Sequence, residues 1–126
     1  MDDVVPYELG GPPIPCDDAR QKVRRIAIAI VSGETDPHVG ANSIYWTAWA
    51  AGAWDDDSPC EELSVPGAEF VQLAYELEKT RGQPDVKVAW QALVRECAAA
   101  YLAGKPWPDW ELTGDSPYPV RHESQP

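Results

Sequence analysis

From Pro37 through Ala53 the chain carries no side chain that is charged at neutral pH, and this run constrains the fold more than any other feature. Asp36-Pro37 opens it as a helix, because the aspartate side chain can satisfy free amides of the first turn and proline is preset for the first helical position. Apolar groups then lie nearly all around the helix as far as about Ala51, before Gly52. A helix of that kind is buried on most sides and needs other elements packed around it. On the same helix, Gly40, Ser43 or Ile44, Thr47 and Ala51 form a mostly small stripe that would let a neighbour approach closely.

The flanking sequence supplies those elements as helices. Asp17 or Asp18 can cap a first helix, in which Ala19, Val23, Ile26, Ala27, Ile30 and Val31 form one apolar stripe up to Ser32-Gly33. Ser64-Val65-Pro66 opens a third helix with Phe70, Leu73, Ala74 and Leu77 on its buried face, closed by Arg81-Gly82. A fourth starts near Asp85 and places Val86, Trp90, Leu93, Val94, Cys97, Ala100 and Tyr101 on one face before Gly104. The chain of 126 residues fits one domain. The expectation is an all-α, small four-helix bundle-like domain over residues 17–104. A disordered or extended arm precedes it over 1–16, and a Pro/Trp-rich tail over 105–126 packs partly on it.

Charge narrows the partners. Ten Lys and Arg face twenty-one Asp and Glu, for a net charge of −11, which disfavours direct nucleic-acid binding and anionic membrane surfaces. From Ile26 through Glu78 there is no basic residue while ten acids fall there, and Arg20, Lys22, Arg24 and Arg25 sit just before. Such a molecule is electrically polarised. No basic-then-apolar leader opens the chain, and no apolar run reaches the roughly 20 residues of a membrane span. Cys16, Cys60 and Cys97 are odd in number and too scattered for a disulfide scaffold, which points to a reducing, cytoplasmic setting.

The stretch RRIAIAIVSGETDPHVGANSIYWTAW, with FVQLAYELE downstream, resembles a loosely defined group of short bacterial helical proteins. They share a helix, a Gly-Glu-x-[Asp/Ser]-Pro turn and a second helix opening with Gly-Ala, matched here by Gly33, Glu34, Asp36, Pro37, Gly40 and Ala41. The resemblance covers about half the chain; it implies helical architecture and a bacterial origin, and brings no assigned activity.

Three constellations are candidates for chemistry. His38, Asn42, Tyr45 and Trp49 recur along one side of the second helix and could wall a small-molecule or enzymatic site; equally, the two rings read as core and the two polar groups as first-turn hydrogen-bonders to Glu34 or the loop. Cys16, His38, Cys60 and Cys97 could supply zinc ligands, but structural zinc sites draw on close ligand pairs and these lie at least 22 residues apart. No metal or other cofactor is expected. Nucleophilic catalysis lacks a placed base, since the histidines are only His38 and His122, and no phosphate-loop or hydrolase motif occurs, so no catalytic residue is assigned.

The acidic segment remains. Trp54, Asp55, Asp56, Asp57, Glu61 and Glu62 crowd a proline-containing loop that reads either as solvated surface or as a docking patch, with acids to speed encounter and Trp54 as anchor. The long stretch without a basic residue favours docking. The expectation is a non-enzymatic acidic protein that recognises a basic protein surface, as immunity proteins and toxin inhibitors do. The alternatives are a site on the second-helix stripe or a nucleic-acid mimic.

Overall fold

The computed structural model of the chain describes residues 14–111 and 116–122. Four α-helices make up most of it: α1 (Cys16–Ser32), α2 (Pro37–Ala50), α3 (Ser64–Glu78) and α4 (Pro84–Ala103). A 3-10 turn at Glu61–Leu63 leads into α3. Two three-residue strands, β1 (Asp109–Glu111) and β2 (Val120–His122), pair antiparallel with Trp110 opposite Arg121. The domain is all-α, and no helix among the described residues is long and apolar enough to cross a membrane.

Local chemistry accounts for the helix starts. The Asp36 carboxylate accepts from the backbone N–H groups of His38 at 3.0 Å and Val39 at 3.1 Å, while Pro37 occupies the first helical position. Pro84 likewise opens α4, there without a capping side chain. Ala19, Val23, Ile26, Ala27 and Ile30 of α1 are buried. They meet Phe70, Leu73, Ala74 and Leu77 of α3 and Val86, Trp90, Leu93, Val94 and Cys97 of α4 in one core. Val31, expected with the α1 stripe, is 44% exposed: it follows Ile30 by about 100° around the helix, beyond the edge that the other helices cover.

α2 packs most extensively on α3 and next on α1. Gly40 permits the α1 contact, because a Cβ there would come within 2.6 Å of the Ile30 side chain. The expected burial on most sides holds for only part of the circumference. Gly40, Ala41, Ser43, Ile44, Thr47 and Ala48 are buried, but Tyr45 and Trp46 are half-buried and Trp49 is exposed. Uncharged sequence marks where a helix avoids ions; it does not say that something covers every side.

Beyond α4 the chain turns back across the bundle. Trp107 packs edge-on against Phe70 at 5.1 Å, and Trp110 against Trp90 at 5.0 Å between ring centroids. The Trp90 indole N–H donates to the Pro117 carbonyl at 2.8 Å, which satisfies a polar group in an otherwise apolar position. Of the expected N-terminal arm, all but residues 14–16 lies outside the described residues, and Cys16 already belongs to α1.

The expectation of three unlinked cysteines is corrected. Cys16 and Cys60 form a disulfide across 44 residues of sequence, their Cα atoms 5.6 Å apart. Packing brings the start of α1 against the loop ahead of α3, a closeness that separation along the chain cannot reveal. Cys97 stays buried in the core face of α4.

Candidate functional site

The loop between α2 and α3 is held at both ends. At its start Gly52 N–H donates to the Trp49 carbonyl at 3.0 Å, Ala53 N–H to Ala48 at 3.1 Å and Asp55 N–H to Gly52 at 3.0 Å. At its end Cys60 is bonded to Cys16. Arg20 of α1 completes the anchorage: its guanidinium donates to Glu62 at 2.7 Å, to Asp17 at 2.8 Å and to the Pro59 carbonyl.

This anchorage divides the acids into two groups. Hydrogen bonding from Arg20 holds the Glu62 carboxyl below the usual glutamate value, and Glu62 in turn raises the guanidinium. Glu62 therefore serves to fix the loop. Asp55, Asp56, Asp57 and Glu61 are exposed, and none of the four forms an ion pair among the described residues.

Above the acids stands an aromatic cluster drawn from two separate sequence segments. Trp54 leaves the loop and lies on α3 at Gly67, where a Cβ would meet the ring at 2.6 Å. Its ring also lies against Tyr45, tilted, with centroids 5.7 Å apart. Trp49 is braced edge-on by Trp46 at 6.0 Å. Trp49 and Trp54 are nevertheless each 45% exposed. Between them and the outer face of α3 runs an open groove of about 530 Å³ lined by Tyr45, Trp49, Trp54, Ala68, Val71 and Gln72. On the loop side the same two indoles border a second recess of about 310 Å³ with Ala50, Ala51, Gly52 and Asp55.

The α2 stripe is thereby split. Tyr45 and Trp49 join Trp54 at the groove, whereas His38 lies near the other end of the helix, its Nε2 3.4 Å from the Glu78 carboxylate. His38 borders a shallow pocket with Asp36, Leu77, Glu78, Arg81 and Lys87; Asn42 is half-buried and borders neither cavity. The partner of His38 is Glu78, in place of the expected Glu34 or loop. The four residues considered for zinc are dispersed, since Cys16 and Cys60 are bonded to each other and Cys97 is in the core.

The α3 side of the groove was not anticipated. Its signal is present as Ala68 and Val71 on the side of that helix opposite the core row; Val65 and Tyr75 extend this outward row, 59% and 62% exposed, outside the groove. A separate cleft of about 510 Å³ lies between α3 and β1, bordered by Glu69, Glu76, Asp109 and Glu111. Its tryptophans, Trp107 and Trp110, are turned inward onto Phe70 and Trp90. The chain matches no protein-family model, no curated protein and no solved structure.

Proposed function

We propose that the chain is a non-enzymatic binding protein that recognises a basic protein surface, in the manner of an immunity protein or toxin inhibitor. The observation that carries this reading is the pair Trp49 and Trp54, each 45% exposed beside an open groove and adjoining acids that have no basic partner among the described residues. Exposed contiguous apolar surface rimmed by polar groups is how soluble proteins present contacts. Tryptophan is also the residue type most enriched where truncation costs binding energy.

Electrostatics supports a basic partner in particular. Asp55, Asp56, Asp57 and Glu61 repel one another in the free protein, and lysine or arginine on a partner relieves that repulsion and steers encounter. Because Trp49 and Trp54 border both the groove and the recess that holds Asp55, such a partner can set an apolar side chain on the aromatic face while a basic group meets Asp55.

The Cys16–Cys60 bond and the expected cytoplasmic setting pull in opposite directions, because disulfides persist in oxidising compartments. The form we assign to docking is the oxidised one, with the loop tied to α1. Affinity capture with three baits tests the function: wild type, Trp54→Ala, and a triple Asp55→Asn, Asp56→Asn, Asp57→Asn variant. A basic protein retained by wild type and lost by both variants is expected. Equal retention by all three baits would remove this surface from the account.

A further inference from the structure

We propose that the recess between the two indoles is a receptor for one arginine side chain of the partner, with Trp49 and Trp54 as its walls and Asp55 as its counter-charge. The inference rests on the docking role proposed above and specifies the group that is recognised.

The recess is built by the turn that ends α2. Gly52 takes φ 72°, the left-handed conformation that glycine adopts without steric cost. With no side chain at that position, the Asp55 carboxylate folds over it; a Cβ on Gly52 would lie 2.6 Å from Asp55 Oδ2. The Asp55 N–H donates to the Gly52 carbonyl at 3.0 Å and the Gly52 N–H to the Trp49 carbonyl at 3.0 Å, so two successive backbone bonds tie the main chain of Asp55 to that of Trp49. Ala50, Ala51 and Gly52 provide small residues between Trp49, Trp54 and Asp55, leaving about 310 Å³.

Both rings are held without a ligand. Trp46 braces Trp49 at 6.0 Å, and Trp54 rests its ring edge on Gly67 and touches Tyr45 at 5.7 Å while staying 45% exposed. A receptor that is already formed loses less freedom on binding. Indole is the strongest of the aromatic faces for a cation, and a carboxylate at the same cavity adds the matching charge. A related contact occurs among the described residues, with Lys79 Nζ 4.3 Å over the Tyr75 ring. Guanidinium suits this recess better than ammonium because it is planar, more weakly hydrated and able to stack on an indole while donating to a carboxylate.

The test is an NMR titration of the oxidised protein with N-acetyl-arginine amide, following the indole N–H signals. N-acetyl-citrulline amide serves as the uncharged isostere and N-acetyl-lysine amide as the point-charge comparison. Saturable shifts confined to Trp49 and Trp54 are expected, strongest for arginine and absent for citrulline. Asp55→Asn, which leaves the helices untouched, should weaken binding about twofold to fivefold, as for a partly exposed charge pair, and Trp49→Ala should abolish it. Equal shifts with citrulline, or a lysine response that exceeds the arginine response, overturn the assignment. So does an arginine titration that leaves both indoles unmoved; if a Lys/Arg-rich peptide still binds the wild type and loses affinity in the triple Asn variant, the docking role survives and the arginine receptor alone fails.

Discussion

The Trp54 indole and Gly67 of α3 are in such close apposition that a Cβ at position 67 would reach within 2.6 Å of the ring and 3.1 Å of Ala48 Cβ. This contact joins the acidic loop to the aromatic groove and sets the depth at which Trp54 stands. Gly67→Ala should therefore displace Trp54 or strain α3 against α2, costing about 1–3 kcal/mol as other over-packed sites do. Denaturant unfolding, with tryptophan emission as a second readout, checks this; unchanged stability and emission would place Trp54 away from Gly67.

The Cys16–Cys60 bond closes a loop that spans α1, α2 and the acids Asp55, Asp56 and Asp57. Its removal, by reduction or by Cys16→Ser with Cys60→Ser, should lower stability by about 2–4 kcal/mol. Cys97→Ser in parallel separates the disulfide from the buried thiol. A wild-type unfolding midpoint indifferent to reductant would indicate that the bond does not form in solution.

Arg20 and Glu62 should stabilise the loop in a pH-dependent way. The folded-state carboxyl of Glu62 is depressed by hydrogen bonding from Arg20, so the unfolded chain takes up the proton first as pH falls. The contribution is fully present above the ordinary glutamate value near 4.5 and is lost as pH drops through the depressed folded value. Both groups are open to solvent, which screens the pair and keeps the effect small. Glu62→Gln should be less stable than wild type at neutral pH and equal to it once the wild-type Glu62 carboxyl is protonated in the folded as well as the unfolded chain. A difference that persists in acid would assign the loss to packing.

In the core, Leu93 is fully buried on α4. Leu93→Ala should cost about 2–5 kcal/mol, and a loss below about 0.5 kcal/mol, the range of surface changes, would contradict the helical phase described for α4.

What could be read without coordinates follows the range over which each interaction acts. Asp36-Pro37 and the apolar rows of α3 and α4 work within one or two helical turns, and they were legible. Cys16–Cys60 and Arg20–Glu62 join residues 44 and 42 positions apart, and nothing local marks either pair. The same holds for the meeting of Trp54 with Tyr45 and Trp49: two unrelated sequence features, an acidic loop and a helix stripe, prove to border one groove because α2 and the loop fold onto α3. Conversely, His38 and Trp49 share a helix face yet sit at opposite ends of α2, because the rise per residue sets them about 16 Å apart along the axis; a shared face is not a shared site. The outward row of Val65, Ala68, Val71 and Tyr75 was readable but masked by the stronger core row on the same helix.

The central claim, that the Trp54 face docks a basic partner, is tested most directly by the association and dissociation rates of that partner at several salt concentrations. Association should slow as salt rises, because at physiological ionic strength a screening length of about 8 Å leaves little steering beyond the contact. Replacing Asp55, Asp56 and Asp57 by Asn should slow association and flatten its salt dependence, and Trp54→Ala should chiefly speed dissociation. Rates that are the same for wild type and both variants at every salt concentration would contradict it.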